Sequence, residues 1–302
     1  MTDAYKKCEL CPFNCGVDRT STRGRCGSGS EIRIARIAPH YWEEPCLSGQ
    51  GIEEPIKGSG TVFFTGCSLH CVFCQNSKIS YNGDELGKTF TPSELADEFL
   101  KLQENGVHNV NLVTATHFAP SVAKAIEIAK IRGLSIPIVY NCSGYEAPET
   151  LKMLDGLIDT YMPDFKYFSS RLAELYSKAK NYPEICKSAI KIMQAQTGSP
   201  LFDENGFMLK GTLVRHLILP GSDADSRKIV SYLHEHYGTD GVALSLMSQY
   251  TPKPELPFPE LTEKLPKSAY LRVISHAQSL GFKYLYTQDG ASASESFIPE
   301  FK

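Results

Sequence analysis

The sequence predicts an α/β fold: an open (β/α)6 partial barrel behind a small Cys-rich, metal-binding N-terminal segment. Three observations carry this. From residue 61 onward, short apolar runs alternate with helical patterns, the rhythm of parallel βα units. Six of these strands lead into a helix or a long connection, too few to close an eight-stranded barrel. The first 60 residues lack that rhythm and their start is rich in Cys, Gly and Arg. The 302 residues, 42% hydrophobic and 22% charged, suffice for one large α/β domain or two ordinary ones with an apolar core. The chain therefore divides into 1–60, a Cys-rich segment and linker, and 61–302, the barrel.

Each element has a local reason. Glu31–Ile37 alternates apolar and polar residues as a strand does, and the Gly- and Pro-rich stretch 49–60 reads as a loop. Thr61–Thr65 is the first barrel strand. Thr91-Pro92-Ser93-Glu94 is a capping box with Pro at the first helical position, opening a helix to about Glu104 that Asn105-Gly106 ends. A strand at Asn109–Thr114 precedes a helix from Pro120 to Arg132, closed by Gly133. A strand at Ile136–Tyr140, a short helix at Pro148–Leu154 and a strand near Thr160–Phe165 follow. Residues 170–197 read as one or two helices broken at Pro183. Thr212–Leu219 is a strong strand stopped by Pro220-Gly221. A helix at 224–237, a strand at Val242–Leu246, a helix at 266–280 and a last strand at Lys283–Tyr286 complete the order.

The loop after the first barrel strand contains Cys67, Cys71 and Cys74 in the spacing C-x3-C-x2-C. Three thiolates are one too few to close a [4Fe–4S] cluster. One iron is left for a non-protein ligand, much as an open position marks a catalytic zinc site. The alternative is zinc completed by a distant ligand, or by His70 within the loop.

This spacing, with aromatic Phe73 before the last cysteine, resembles the signature of radical S-adenosylmethionine (SAM) enzymes. The stretch around Cys67 resembles the branch of pyruvate formate-lyase activating enzymes and their uncharacterised relatives, and the resemblance runs from about Cys8 to the C-terminus. It implies a [4Fe–4S] cluster on Cys67, Cys71 and Cys74, with SAM bound at the open iron and cleaved to methionine and a 5′-deoxyadenosyl radical. It implies the open six-stranded barrel of the radical SAM type. Within that branch it implies hydrogen abstraction from a glycine of a glycyl-radical enzyme, or from another peptide or small molecule, with flavodoxin or ferredoxin as reductant.

In parallel βα architectures ligands bind at the carboxyl ends of the strands, so residues there are candidate cofactor-binding groups. Past the second strand stand Thr114, Thr116 and His117, where many radical SAM enzymes carry Gly-Gly-Glu. That motif is missing; these residues either supply its hydrogen bonds or serve as helix cap and turn. Past the third, Asn141 either touches the cofactor's ribose or carboxylate or makes an Asx turn. Past the fourth, Asp164 and Lys166 share one side, either as a lumen pair, as similar Asp-x-Lys motifs in the activating-enzyme branch imply, or as a surface ion pair. On the fifth, Arg215 and His216 alternate, so only one points inward. The run Ser248–Pro252 either contacts adenine or substrate or closes the barrel end. No acid–base dyad stands out, and none is required where the cofactor carries the chemistry.

Cys8-x2-Cys11-x3-Cys15-x10-Cys26 offers a second, closed set of four thiolates. It suits tetrahedral zinc or an auxiliary [4Fe–4S] cluster, and so apolar-poor a segment scarcely folds without metal. Glycyl-radical activators with auxiliary clusters carry ferredoxin-like runs after the radical SAM motif; this set precedes it and is spaced differently.

Ten cysteines and an N-terminus with no signal-like apolar core point to a cytoplasmic protein using thiols for metal or catalysis. A net charge of −3 gives no electrostatic case for nucleic acid. No apolar run approaches the roughly 18 residues of a membrane span. The expectation is a radical SAM enzyme. Its rivals are a non-catalytic zinc or iron–sulfur interaction protein and an electron carrier with fully Cys-ligated clusters.

Overall fold

The computed structural model describes residues 3–49, 57–81, 83, 86–288 and 301. The loop expected at 49–60 falls largely outside them. Among the described residues there are ten strands: β1 (Ile32–His40), β2 (Ser59–Phe64), β3 (Lys88–Phe90), β4 (Val110–Val113), β5 (Ile138–Cys142), β6 (Thr160–Pro163), β7 (Leu201–Phe202), β8 (Met208–Leu217), β9 (Ala243–Met247) and β10 (Leu285–Thr287). The helices are α1 (Pro45–Ser48), α2 (Ser77–Ser80), α3 (Pro92–Glu104), α4 (Ala119–Ile131), α5 (Pro148–Met153), α6 (Ser170–Ser177), α7 (Tyr182–Thr197), α8 (Asp223–Tyr237) and α9 (Lys267–Ser279).

The sheet runs β10-β9-β8-β6-β5-β4-β2-β1-β3. From β2 to β10 every neighbouring pair is parallel. The antiparallel pairs are β1 with β2, β3 with β1, and β7 with β8. The path ends on β10 and β3, so the barrel is open. The six expected parallel strands are all there and β10 adds a seventh, paired to β9 through Leu285↔Leu244. β3 and β7 are too short to show a period of two, which hid them in the sequence. At the other boundary, β1 of the N-terminal segment pairs along β2 from Ile34↔Phe64 to His40↔Ser59.

Strand alternation sorts the barrel into two faces. Val62, Phe64, Val110, Leu112, Ile138 and Tyr140 turn outward into the core with α3 and α4. Each fully buried side chain of this kind stabilises the fold by roughly 1.5–3 kcal/mol. On α3, buried Leu95, Ala96, Phe99 and Leu102 follow the helical spacing of an apolar stripe. The predicted capping box opens it: Glu94 N donates to Thr91 Oγ1 at 3.2 Å and Thr91 N to Glu94 Oε2 at 2.8 Å.

Val139, Met162, Leu213 and Ala243 turn inward instead and meet Cys46 and Leu47 of α1. That short helix plugs the lower lumen, pinned by Asn109 Nδ2 donating to the Leu47 carbonyl at 2.8 Å. The carboxyl half of the lumen is left to polar groups.

The break within 170–197 lies earlier than Pro183. α6 ends at Lys178, whose φ of 54° reverses the chain. Pro183 sits in the first turn of α7, where a missing amide proton costs nothing.

Candidate functional site

Gly66 ends β2 with φ near +82°, and a β-carbon there would collide with Ser28 Oγ and stand 2.7 Å from the Cys26 carbonyl. Only glycine is free in that conformation and so close a contact. The turn throws Cys67, Cys71 and Cys74 over the carboxyl end of β2. Ser177 Oγ lies 3.1 Å from Cys71 Sγ and is itself held by Tyr167 OH at 2.7 Å. Ser80 Oγ lies 3.7 Å from Cys74 Sγ. Tyr81 OH donates to the Cys71 carbonyl at 2.6 Å. Phe73 packs edge-on to Tyr167, Tyr176 and Tyr250. Gln75 Nε2 donates to the Gln249 carbonyl at 2.7 Å, so the 248–252 run closes against the cysteine loop.

The three thiols feel one another. Burial and then the neighbouring Cys71 and Cys74 push the Cys67 thiol up to about 12. Burial and Cys71 also raise Cys74, against the pull of Ser80 and the Lys166 ammonium. Among the described residues no three His, Cys, Asp or Glu side chains converge as ligands of one metal ion. His70 Nε2 is buried without a hydrogen-bond partner and its ring meets Tyr81 edge-on at 5.2 Å.

Beneath the loop, side chains from four inward-facing positions form one charged network. Lys166 Nζ donates to Asp164 Oδ2 at 2.6 Å. Arg215 Nε donates to Asp164 Oδ1 at 3.1 Å and its Nη2 to Asn141 Oδ1 at 2.8 Å. Arg215 Nη1 reaches Glu43 Oε2 at 3.3 Å. Burial alone disfavours every charge here. For Asp164 the Lys166 and Arg215 cations win, and its carboxyl stays below the usual range. Burial lowers Lys166, but Asp164 and Cys71 more than offset it, so the ammonium is retained. The lumen reading of Asp164 and Lys166 therefore holds over the surface-pair reading. Asn141 caps Arg215 and makes no Asx turn.

Glu43 and Glu44, just before α1, were invisible as site residues in the sequence. Burial raises both carboxyls, with Arg215 opposing. Asn111 on β4 hydrogen-bonds the Glu43 carboxylate, while Glu44 Oε2 and, on β6, Thr160 Oγ1 are buried without partners. An isolated Glu-Glu-Pro gives no pattern to read; only the long-range placement of the α1 plug brings it under Arg215.

Three expected residues belong elsewhere. His216 alternates with Arg215 and faces outward. Its Nδ1 meets the Phe165 carbonyl at 2.7 Å and burial depresses its pKa to about 4. Thr116 Oγ1 donates to Glu146 Oε1 at 3.0 Å; Tyr140 OH, on the outward face, donates to Glu146 Oε2 at 3.3 Å. Thr116 thus serves a buried carboxyl behind the sheet. His117 Nε2 lies 2.8 Å from the Thr65 carbonyl and burial holds it neutral, near 3, so it braces the start of the cysteine loop. Thr114 ends β4 at φ 62°, a region a β-branched residue rarely enters, and its amide donates to the Asn141 carbonyl at 2.9 Å.

The N-terminal cysteines sit beside this site. Cys8 N donates to the Val17 carbonyl and Gly16 N to the Cys8 carbonyl, both at 3.0 Å, making a knuckle. Cys8, Cys11 and Cys26 are buried and Cys15 is partly exposed. Burial pushes the Cys11 thiol up to about 11, with Cys26 and Cys8 adding to it. The knuckle docks on the barrel through Tyr5 OH and Ser121 Oγ at 2.9 Å and through Thr150 Oγ1 donating to the Leu10 carbonyl at 2.8 Å.

Residues 61–233 match the Radical SAM superfamily. An uncharacterized protein of Methanocaldococcus jannaschii is 27% identical over 291 residues, covering 93% of this chain and 77% of that protein. A crystal structure of methylornithine synthase (PylB) is similar over 73% of this chain and 68% of that one, at 14% identity and a TM-score of 0.45. The superfamily match spans more than half of the 302 residues and starts on the strand that carries the cysteine loop: the chain belongs to the radical SAM superfamily.

Proposed function

We propose that this protein reductively cleaves SAM and uses the resulting radical to abstract hydrogen from a glycine of a partner protein, or from another peptide or small molecule. The carrying observation is the lumen network: an open-ended set of three cysteines stands directly above Lys166, Asp164, Arg215 and Asn141. A [4Fe–4S] cluster with SAM supplies the electron and the 5′-deoxyadenosyl radical when bound. The donor set fits it, since three thiols of one loop share each other's field and the polar layer below has buried groups to spend on a ligand.

In this reading Cys67, Cys71 and Cys74 hold the cluster. Asp164 and Asn141 take the amino and ribose groups of SAM, and Lys166 and Arg215 take its carboxylate while fixing Asp164. Glu44, Asn111 and Thr160 below offer the donors and acceptors for the end of a substrate. Thr114, locked at positive φ, presents its polar side chain at the position of the missing Gly-Gly-Glu. Residues 61–302 form the catalytic unit and residues 1–60 carry a second metal, zinc or iron–sulfur, on Cys8, Cys11, Cys15 and Cys26. The partners are a reductant such as flavodoxin or ferredoxin and the protein or peptide substrate, with no role for nucleic acid or membrane. Among the described residues no helix is long and apolar enough to cross a bilayer. The free thiols favour the reducing cytoplasm.

The test is anaerobic reconstitution with iron and sulfide, reduction, and electron paramagnetic resonance with and without SAM. A reduced-cluster signal that shifts on adding SAM, with 5′-deoxyadenosine released, is expected. A colourless zinc protein with no SAM effect overturns the reading.

A further inference from the structure

We propose that Ser177, backed by Tyr167, is a positioning residue whose hydroxyl donates to the Cys71 sulfur and raises the reduction potential of the cluster held there. The inference rests on the radical SAM reading above. It adds which residue outside the cysteine motif sets how readily that cluster takes its electron.

Two hydroxyls form a buried chain that ends on one sulfur. Ser177 Oγ lies 3.1 Å from Cys71 Sγ, and Tyr167 OH lies 2.7 Å from Ser177 Oγ. Tyr167 also reaches Cys71 itself. Both side chains are fully buried, so bulk water does not compete for either hydroxyl. A thiolate sulfur can only accept. Ser177 therefore donates to it, and Tyr167 donates to Ser177. Each O–H polarises the next, and a hydrogen bond to an ionised acceptor is about twice as strong as a neutral one.

The donors are anchored by groups other than the sulfur they serve. Ser177 is the last residue of α6, and Lys178 reverses the chain directly after it at φ 54°. Val72 N donates to the Tyr176 carbonyl at 2.8 Å, which joins the residue after Cys71 to the residue before Ser177. From the other side Tyr81 OH donates to the Cys71 carbonyl at 2.6 Å. The Cys71 backbone is thus fixed against the end of α6. The Tyr167 ring is fixed in turn, edge-on to Phe73 at 6.2 Å and to Tyr182 at 5.3 Å. The other two sulfurs are served differently. Ser80 Oγ stands 3.7 Å from Cys74 Sγ, and Cys67 has the backbone amides of His70 and Leu69 beside it.

The sign follows from charge. A [4Fe–4S] core of charge 2+ on three thiolates carries −1. One electron takes it to −2, with no proton moved. A donor aimed at a ligand sulfur stabilises the more negative state more, and so raises the potential. Burial works the other way, because it penalises the larger charge. Ser177 stands 106 positions from Cys71 in the sequence, and only the docking of α6 on the loop brings the two together.

The test uses the full chain, reconstituted with iron and sulfide without oxygen. A redox titration is followed through the electron paramagnetic resonance signal that SAM perturbs, which isolates the barrel cluster. In Ser177→Ala the midpoint should fall. At a fixed potential the reduced-to-oxidised ratio should drop at least tenfold, which is about 59 mV for a one-electron couple. Tyr167→Phe keeps the ring and Ser177, and should lower the midpoint too. An unchanged midpoint in Ser177→Ala, with the SAM-sensitive signal intact, overturns the proposal and leaves the radical SAM reading standing. A raised midpoint also overturns it: a serine that only braced the loop would, once removed, admit water and favour the more negative state. If Ser177→Ala does not take up iron, Tyr167→Phe decides, and an unchanged midpoint there refutes the hydroxyl chain. A wild type whose trio takes up no iron removes the radical SAM reading and this proposal with it.

Discussion

Replacing Glu146 by Gln should remove a defined piece of the protein's pH-dependent stability. Glu146 is 1% exposed, and burial raises its carboxyl from 4.5 to about 7, with Thr116 and Tyr140 partly opposing. The folded state holds this proton more tightly than the unfolded chain. The stability it contributes is therefore complete below pH 4.5 and is lost as pH rises through about 7. A shift of roughly 2.5 units at 1.36 kcal/mol per unit is worth about 3 kcal/mol. Gln fills the same volume, and its amide keeps partners in the hydroxyls of Thr116 and Tyr140. Urea unfolding of both proteins between pH 4.5 and 8 gives the difference directly. His117 and His216, whose folded pKa values are depressed, slope the opposite way but are common to both proteins and cancel. The variant should lose about 3 kcal/mol less than the wild type over that range. Parallel stability curves would refute the buried-carboxyl argument and free Thr116 for the lumen.

Three further outcomes follow from the same geometry. His117→Gln should flatten the acid limb of stability: the imidazole is held neutral near 3 against 6.5 unfolded, so wild-type stability falls by about 4 kcal/mol as pH drops from 6.5 toward 3, and equal acid midpoints would contradict this. Asp164→Ala leaves Lys166 and Arg215 without their shared anion, a loss of about 3 kcal/mol in urea unfolding, and should weaken SAM binding in calorimetry at least tenfold without loss of iron; unchanged stability and binding would return the residue to a passive role. Gly66→Ala forces a β-carbon into the Cys26 carbonyl at positive φ, so its thermal midpoint should fall by the equivalent of at least 1 kcal/mol and its iron content with it, whereas a wild-type midpoint would show that the loop has room.

The sequence made the parallel strands legible because both their period and their helical partners are local signals. The capping box at Thr91 and Glu94 and the Asp164–Lys166 pairing were readable for the same reason: each depends on residues two or three apart. What escaped depends on distance in sequence. Glu43 and Glu44 become site residues only because α1 folds into the lumen beneath Arg215, 172 positions away from Glu43. Thr116 looked like a site residue by position, yet the 3₁₀ turn Thr116–Phe118 rotates it behind the sheet. Periodicity does not reach through such a turn. Arg215 and His216 could be reduced to one inward residue but not assigned, because alternation fixes parity and only the Asp164 contact fixes phase.

Composition divides this chain near residue 60, but its hydrogen bonds cross that line where the chemistry is densest. Thr65 N donates to the Arg33 carbonyl at 3.0 Å and Cys67 N to Cys26. Arg19 reaches the His117 carbonyl, and His117 in turn meets Thr65. The loop bearing Cys67 is thus clamped from behind by the segment bearing Cys8 to Cys26, through backbone groups that any sequence retaining the fold must satisfy. A loop held this way cannot shift without moving the second cysteine set. Unfolding at the N-terminal knuckle should therefore be felt at Gly66 before it reaches the outward core of α3 and α4. The charged lumen network adds the converse constraint: Lys166, held by Asp164, is drawn toward Cys71 and Cys74 from below. The reactive cysteines are set between two independently anchored bodies, and the geometry of the site is a property of their docking.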